Sequence, residues 1–306
     1  AVSPPTQSAR SVSRISPTKT HAKPIAKPVA KKKDAKKEVA TSVKKAAPRT
    51  SSSSSSSSSI SYSQNLNMTV YKKLPPLPNP ALFDNAPLHR LAFRGDITPE
   101  ELRKTLEAMK ANGTLKEELD KIVHGWTAIE IFLYKGNLSL VRIFLSYGPN
   151  VKAIPDDEQG DDYYSPFQIA AASKGLNQPE VLDVVKTMIK LGASVNGFQC
   201  HNGKYREAPH LMAAFYGNHH FLNALGESGA DLGTYDYSGF AAIHLLAFQG
   251  HDEAIKNFWL VGNYIDYPTE EVRCSPVSIA ANIGHSSTVD CLLELGANTK
   301  KGDRDD

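Results

Sequence analysis

The sequence predicts an all-α solenoid of stacked helix-turn-helix units with projecting hairpin loops, preceded by a disordered N-terminal tail. Three observations carry that prediction. Six segments align in one register along the second two thirds of the chain. Two glycines recur at a fixed distance within the copies. The 306-residue chain also changes composition abruptly, from a basic, serine-rich start to a mixed apolar and acidic body.

The tail comes first. Residues 1–50 hold ten lysines and three arginines against Asp34 and Glu38, a local charge of +11 in a chain whose formal net charge is only +3. Nine consecutive serines fill 51–59. Such a segment cannot bury enough apolar surface to offset the roughly 1–2 kcal/mol of backbone entropy lost per ordered residue. Residues 23–33 (KPIAKPVAKKK) resemble linker-histone tails in composition. The tail therefore either contacts nucleic acid or an acidic surface with salt-dependent affinity, or serves as a solubilising, targeting leader. Residues 72–80 (KKLPPLPNP) are a polyproline II candidate. Lys72, Pro75 and Pro78 fit the basic-x-x-P-x-x-P pattern read by SH3 domains, with packing of Leu74 and Leu77 on the first folded element as the alternative.

The repeats follow. They open near 86, 127, 165, 208, 241 and 275, within a body spanning 81–300, and a charged stub occupies 301–306. The aligned segments are 87–95 (PLHRLAFRG), 128–136 (AIEIFLYKG), 166–175 (PFQIAAASKG), 209–217 (PHLMAAFYG), 242–250 (AIHLLAFQG) and 276–284 (PVSIAANIG). A second glycine stands twelve residues after the first in four copies, and seventeen after it in the third, where LNQP is inserted. Between the two glycines lie apolar residues at helical spacing, such as Val181, Val184, Val185 and Met188. Pro or Ala opens a first short helix, because its first amide needs no acceptor, and the second glycine takes the left-handed position closing a second helix. One such unit is too small to cover its own apolar side, so the units must stack.

The copies resemble ankyrin repeats, whose signature is TPLHxA with a period of about 33 residues. The matching residues are Pro87, Leu88 and His89, Ser165 and Pro166, Ala208 and Pro209, Ile243 and His244, and Ser275 and Pro276. The resemblance implies that His89 and His244 are structural hydrogen-bonders. Glu130, Gln168, Leu211 and Ser278 replace the signature histidine in the other copies, which predicts imperfect capping there. Copy one is extended: Thr98 to Glu101 reads as a capping box, and a further helix through Leu115, Leu119 and Ile122 bridges to Trp126. Copy six shows no polar outer face, which predicts either that the natural chain continues or that the stub ends it.

Chemistry is not indicated. The chain has no GxxxxGK[ST], GxGxxG, HExxH or GxSxG string, and no apolar run near the roughly 18 residues of a membrane-spanning helix. The three cysteines form no CxxC pair. Cys200, His201, His210, His219 and His220 fit no zinc module, and the acidic run Asp156, Asp157, Glu158, Asp161 and Asp162 lacks calcium-loop spacing. No metal or cofactor is expected. The partner-binding residues predicted are those of the loops between repeats: Tyr163, Tyr164, Tyr205, Arg206, Tyr235, Asp236, Tyr237, Tyr267 and Arg273, since tyrosine gives large contact area with little rotamer entropy to lose. The resemblance implies a non-enzymatic adaptor or scaffold binding another protein, in cytoplasm or nucleus. Two rivals stand beside it: a nucleic-acid or chromatin factor acting through the tail, and the targeting half of a larger enzyme or pathogen effector, working in host cytosol if secreted.

Overall fold

The computed structural model describes residues 74–152, 164–197, 208–236, 238–258, 261–270 and 273–299. Six first helices are present: Pro87–Phe93, Ala128–Lys135, Pro166–Ala172, Pro209–Phe215, Ala242–Gln249 and Pro276–Ile283. Each is followed by a second helix: Pro99–Ala111, Leu138–Ser146, Val181–Lys190, His219–Glu227, Asp252–Asn257 and Ser286–Glu294. First helices pack on neighbouring first helices along one layer, and second helices on second helices along the other. The core is the seam between those layers, running unbroken from Phe83 to Leu292.

Why the seam closes is visible in a single helix. In repeat four, Leu211, Met212, Ala213 and Ala214 are all fully buried, because one side of the helix meets repeat three and the other repeat five. Fully burying a Leu or Met side chain contributes about 1.5–3 kcal/mol, and most of that area is supplied by neighbours. The fourth position of the first helix records where stacking begins. It is buried Ile131, Ile169, Met212, Leu245 and Ile279 in repeats two to six, and exposed Arg90 in repeat one. A charge there suits the first repeat among the described residues.

Polar bonds set the register between repeats. Asn218 caps His219–Glu227 with Oδ1 while its Nδ2 donates to the carbonyls of Ala171 and Ser173, at 3.2 and 3.1 Å, in the preceding repeat. His251 and His285 stand at the same place one and two repeats on, and their Nε2 atoms donate to the carbonyls of Phe215 and Phe248, both at 2.9 Å. At the other end of the first helices, His244 Nδ1 accepts the Ala241 amide at 2.9 Å, which leaves Nε2–H to donate to Tyr267 O at 2.6 Å.

Capping in copies two and three differs from the expectation. Glu130 accepts the Thr127 amide at 2.7 Å, and Gln168 accepts that of Ser165 at 2.6 Å, each completing a capping box. A carboxylate or an amide oxygen reaches the same donor as an imidazole nitrogen, so replacing the histidine costs no cap. Copy four matches the expectation, with Ala208 making no side-chain cap.

Three local differences have physical causes. The bridging helix is Leu115–Asp120, and Ile122 lies instead in a two-residue strand, Ile122–Val123, paired antiparallel with Trp126–Thr127. His124 and Gly125, at φ 51° and 79°, form the tight turn that this hairpin requires. The capping box of copy one is half closed: Thr98 accepts the Glu101 amide at 3.1 Å, but Arg94 holds the Glu101 carboxylate. Gly262 does not close a long helix, because the second helix of repeat five stops at Asn257, Phe258 is buried, and Gly262 falls inside the short helix Val261–Tyr264.

Repeats two and three touch backbone to backbone. A Cβ on Gly175 would lie 2.5 Å from the carbonyl oxygen of Gly136. Gly175→Ala should therefore destabilise the protein by about 2 kcal/mol in urea unfolding, whereas Gly95→Ala, which meets nothing within 4 Å, should change stability by less than about 0.5 kcal/mol.

Burial makes the protein acid-sensitive. His210 and His244 have no exposed surface, and desolvation lowers each pKa to about 4. These folded-state values lie below the ordinary histidine value of 6.5, so the unfolded chain binds protons first, and stability present at neutral pH is lost as pH falls through 6.5 towards 4. Each histidine should remove about 2 kcal/mol between pH 7 and pH 5. His244→Gln keeps an acceptor of the kind Gln168 provides in repeat three, and should flatten that slope in urea titrations at the two pH values.

Candidate protein-interaction surface

Along the first helices, positions two to six mostly turn into the stack, with Arg90 and Ala281 exposed, and position seven stands at the outer edge in repeats one, two, four and five. That position is Phe93, Tyr134, Phe215 and Phe248 in repeats one, two, four and five, and Tyr216 follows at position eight of repeat four. All five rings are half-buried, rooted in the core and open on one side. Phe215 and Tyr216 meet edge to face with centroids 5.4 Å apart. Trp126, from the first hairpin, sits 5.9 Å from Tyr134 in the same geometry. The row thus forms a ladder of aromatic faces on one layer. Repeat three interrupts it with Ala172 and Ser173, both buried.

The segment before repeat one lies on this layer. The Leu74 amide donates to the Tyr216 hydroxyl at 3.1 Å, although 142 residues separate the two. Leu74 and Leu77 pack against the core cluster; the alternative to an SH3 ligand expected them on the first folded element, whereas Leu74 is bonded to repeat four. Pro75 and Pro78 are half-buried, so an SH3 domain would have to lift the segment away; Lys72 lies outside the described residues. The segment ends in the 3-10 helix Pro80–Phe83, whose Phe83 ring stacks on His89 at 5.3 Å. His89 in turn bonds the Trp126 carbonyl through Nε2 at 2.9 Å, and burial lowers its pKa. Beside it, Pro80, Pro87, Arg90, Leu91, Phe93 and Arg94 line a cavity of about 450 Å³.

The predicted loop residues have different fates. Tyr163, Tyr205, Arg206 and Tyr237 lie outside the described residues, as do Cys200, His201 and the acidic run. Tyr164 is 6% exposed and part of the core, so a partner has no access to its ring. Asp236 is 4% exposed and serves its own loop, its carboxylate accepting the amides of Ser238 and Phe240 at 2.9 and 2.8 Å. Tyr164 departs from the expectation because its ring is drawn into the core, and Asp236 because a loop this tight must satisfy its own backbone donors before it can present anything outward.

Tyr235 and Tyr267 join adjacent loops. Their rings stack with centroids 5.4 Å apart and 4° between planes. The Tyr235 hydroxyl donates to Pro268 O at 3.0 Å, and that of Tyr267 to Gly233 O at 3.1 Å, a reciprocal pair. The Glu270 amide adds a third link to Gly239 O at 3.0 Å. Burial pushes the Tyr235 phenol above its ordinary range. These tyrosines hold two loops together and offer only part of each ring to a partner. Arg273, at φ 55° and close enough to Tyr235 to act on its phenol, is the exposed one of the predicted loop residues that the structure describes.

The aromatic ladder was missed by sequence reasoning, although its signal was present. Position seven of the aligned segments reads Phe, Tyr, Ala, Phe, Phe, Asn, an excess of rings at the last turn of a helix otherwise built from Ala, Leu and Ile. The described residues hold no group of three His, Cys, Asp or Glu side chains that could bind a metal ion, and no helix among them is long and apolar enough to cross a membrane.

Two layers of short helices, joined within each unit and stacked in register between units, define the ankyrin-repeat fold, and this chain has it. Folds of this kind generally serve as protein-protein interaction modules. No family model matches the sequence, and no curated protein matches it. Among solved structures, the ankyrin repeat domain of human ASB11 is similar at a TM-score of 0.45 and 22% identity, over 58% of this chain and 73% of that one.

Tyr235→Ala should separate the last two joined loops while leaving the helices in place. The expected result in hydrogen exchange is an amide of Glu270 that exchanges at least tenfold faster, with a loss of about 1–3 kcal/mol in overall stability.

Proposed function

We propose that the chain is a protein-binding module, acting as an adaptor or scaffold through the first-helix layer with the loop tips as its rim, and that it carries out no chemistry of its own. The observation that carries this reading is the ladder of Phe93, Tyr134, Phe215, Tyr216 and Phe248. Half-buried rings anchored in a rigid core lose little entropy on binding and give up a large apolar face, the properties of interface hot spots. Solenoid stacking spaces them along an elongated surface suited to a partner longer than one repeat. Arg273, exposed on the rim beside Tyr235, adds polar selectivity at the edge.

The buried histidines support a non-catalytic reading. His210 Nε2 is within 3.0 Å of the Thr234 hydroxyl, and His89 and His244 are bonded to main-chain carbonyls, so each is committed to joining neighbouring repeats.

Affinity capture with the full chain tests the proposal. The double variant Phe215→Ala and Phe248→Ala should lose its captured proteins by tenfold or more, since each ring contributes about 1–2 kcal/mol or more at a hot spot. Arg273→Ala should change recovery by less than threefold. Equal recovery by wild type and the double variant, with both folded by circular dichroism, would remove the first-helix layer as the binding face.

A further inference from the structure

Residues 74–79 are the one stretch of the described chain that lies on the first-helix layer without belonging to any repeat. Their exposure has a period of three: Leu74 and Pro75 half-buried, Pro76 exposed, Leu77 and Pro78 half-buried, Asn79 exposed. Three residues per turn is the period of a polyproline II helix, here with one edge outward and two facing the protein. Asn79 has the matching extended backbone, at φ −61° and ψ 127°.

The segment bridges repeats that are not adjacent. Its start is tied to repeat four by the Leu74 amide and the Tyr216 hydroxyl, and its end to repeat one, where Phe83 stacks on His89. The stretch between those two ties gains about 3.1 Å per residue in an extended form, about twice what an α-helix would give. Between repeats two and four the aromatic row gives way to Ala172 and Ser173, small residues that are buried where the equivalent positions of other repeats are half-exposed or open. Small residues between aromatic ones leave room for a narrow, extended chain.

We propose that the first-helix layer is a groove for an extended leucine- and proline-rich peptide of a partner protein, and that residues 74–79 occupy it in cis until such a peptide displaces them. This rests on the reading of that layer as the partner surface and adds the partner's chemistry and a built-in competitor. The internal segment is suited to being displaced. Pro75, Pro76, Pro78 and Pro80 have no amide to donate, so it cannot add a hydrogen-bonded ladder, and side-chain packing must hold it. Its advantage is the short tether to repeat one, which sets an effective concentration of about millimolar. A partner carrying the same Leu-Pro-Pro-Leu-Pro pattern gains by adding contacts beyond those six residues.

The test uses the full chain and a fluorescein-labelled peptide of sequence LPPLPNP, read by polarisation. Leu74→Asp with Leu77→Asp removes the apolar contacts of the internal segment. That variant should bind the peptide at least tenfold more tightly than wild type, and adding Phe215→Ala and Tyr216→Ala should abolish the gain. Equal binding by wild type and the folded double variant overturns the proposal. If the double variant fails to fold, hydrogen exchange on wild type decides: saturating peptide should speed exchange at the Leu74 amide, and an unchanged rate overturns it. Loss of captured proteins on Phe215→Ala and Phe248→Ala, with no peptide binding in either assay, would leave the partner surface intact and sink only its peptide chemistry.

Discussion

An isolated helix pair of this chain has an apolar side with nothing to cover it. In repeat four four consecutive side chains, Leu211 to Ala214, have no contact with water, and their cover comes from the first helices on either side. Stability in such a solenoid resides in the interfaces between neighbours rather than within units. Every other feature either tightens those interfaces or uses the surface they leave free.

The interfaces are tightened by a small set of polar devices repeated with variation. Asn218, His251 and His285 reach back one repeat from the start of their second helices, and His244, Glu130 and Gln168 close the start of their first helices. The two histidines meet the carbonyl of position seven in the preceding repeat, and Asn218 takes those of positions six and eight, so the side chain changes while the end of the preceding first helix stays tied by its carbonyls. Burying imidazoles for the purpose has a consequence. His244 uses Nδ1 as an acceptor, so a second proton both charges a desolvated ring and removes the bond to Ala241.

The same geometry explains why the surface is divided between loops and helices. Loops must satisfy their own amides, and Asp236, Tyr235 and Tyr267 are spent on that and on joining neighbouring loops. First helices satisfy their own backbone, so the side chains at their last turn are not needed to satisfy the helix's own donors. The rings gather there, at Phe93, Tyr134, Phe215, Tyr216 and Phe248, and the proline-rich segment lies across the same layer.

The sequence by itself determined the repeat number, the register and the two-layer helical fold. Stacking contacts recur at a fixed period, so each glycine, opening proline and apolar run is written into the chain several times over. Capping by Glu130 and Gln168 was misjudged because a signature records one side chain, whereas the backbone amide accepts any oxygen or nitrogen that reaches it. What only the tertiary structure decided is which half-exposed rings face outward and what lies over them. The contact of Leu74 with Tyr216 joins residues 142 apart that belong to no common repeat. No periodicity encodes such a contact; it exists because stacking brings repeat four within reach of a short extended segment anchored at repeat one.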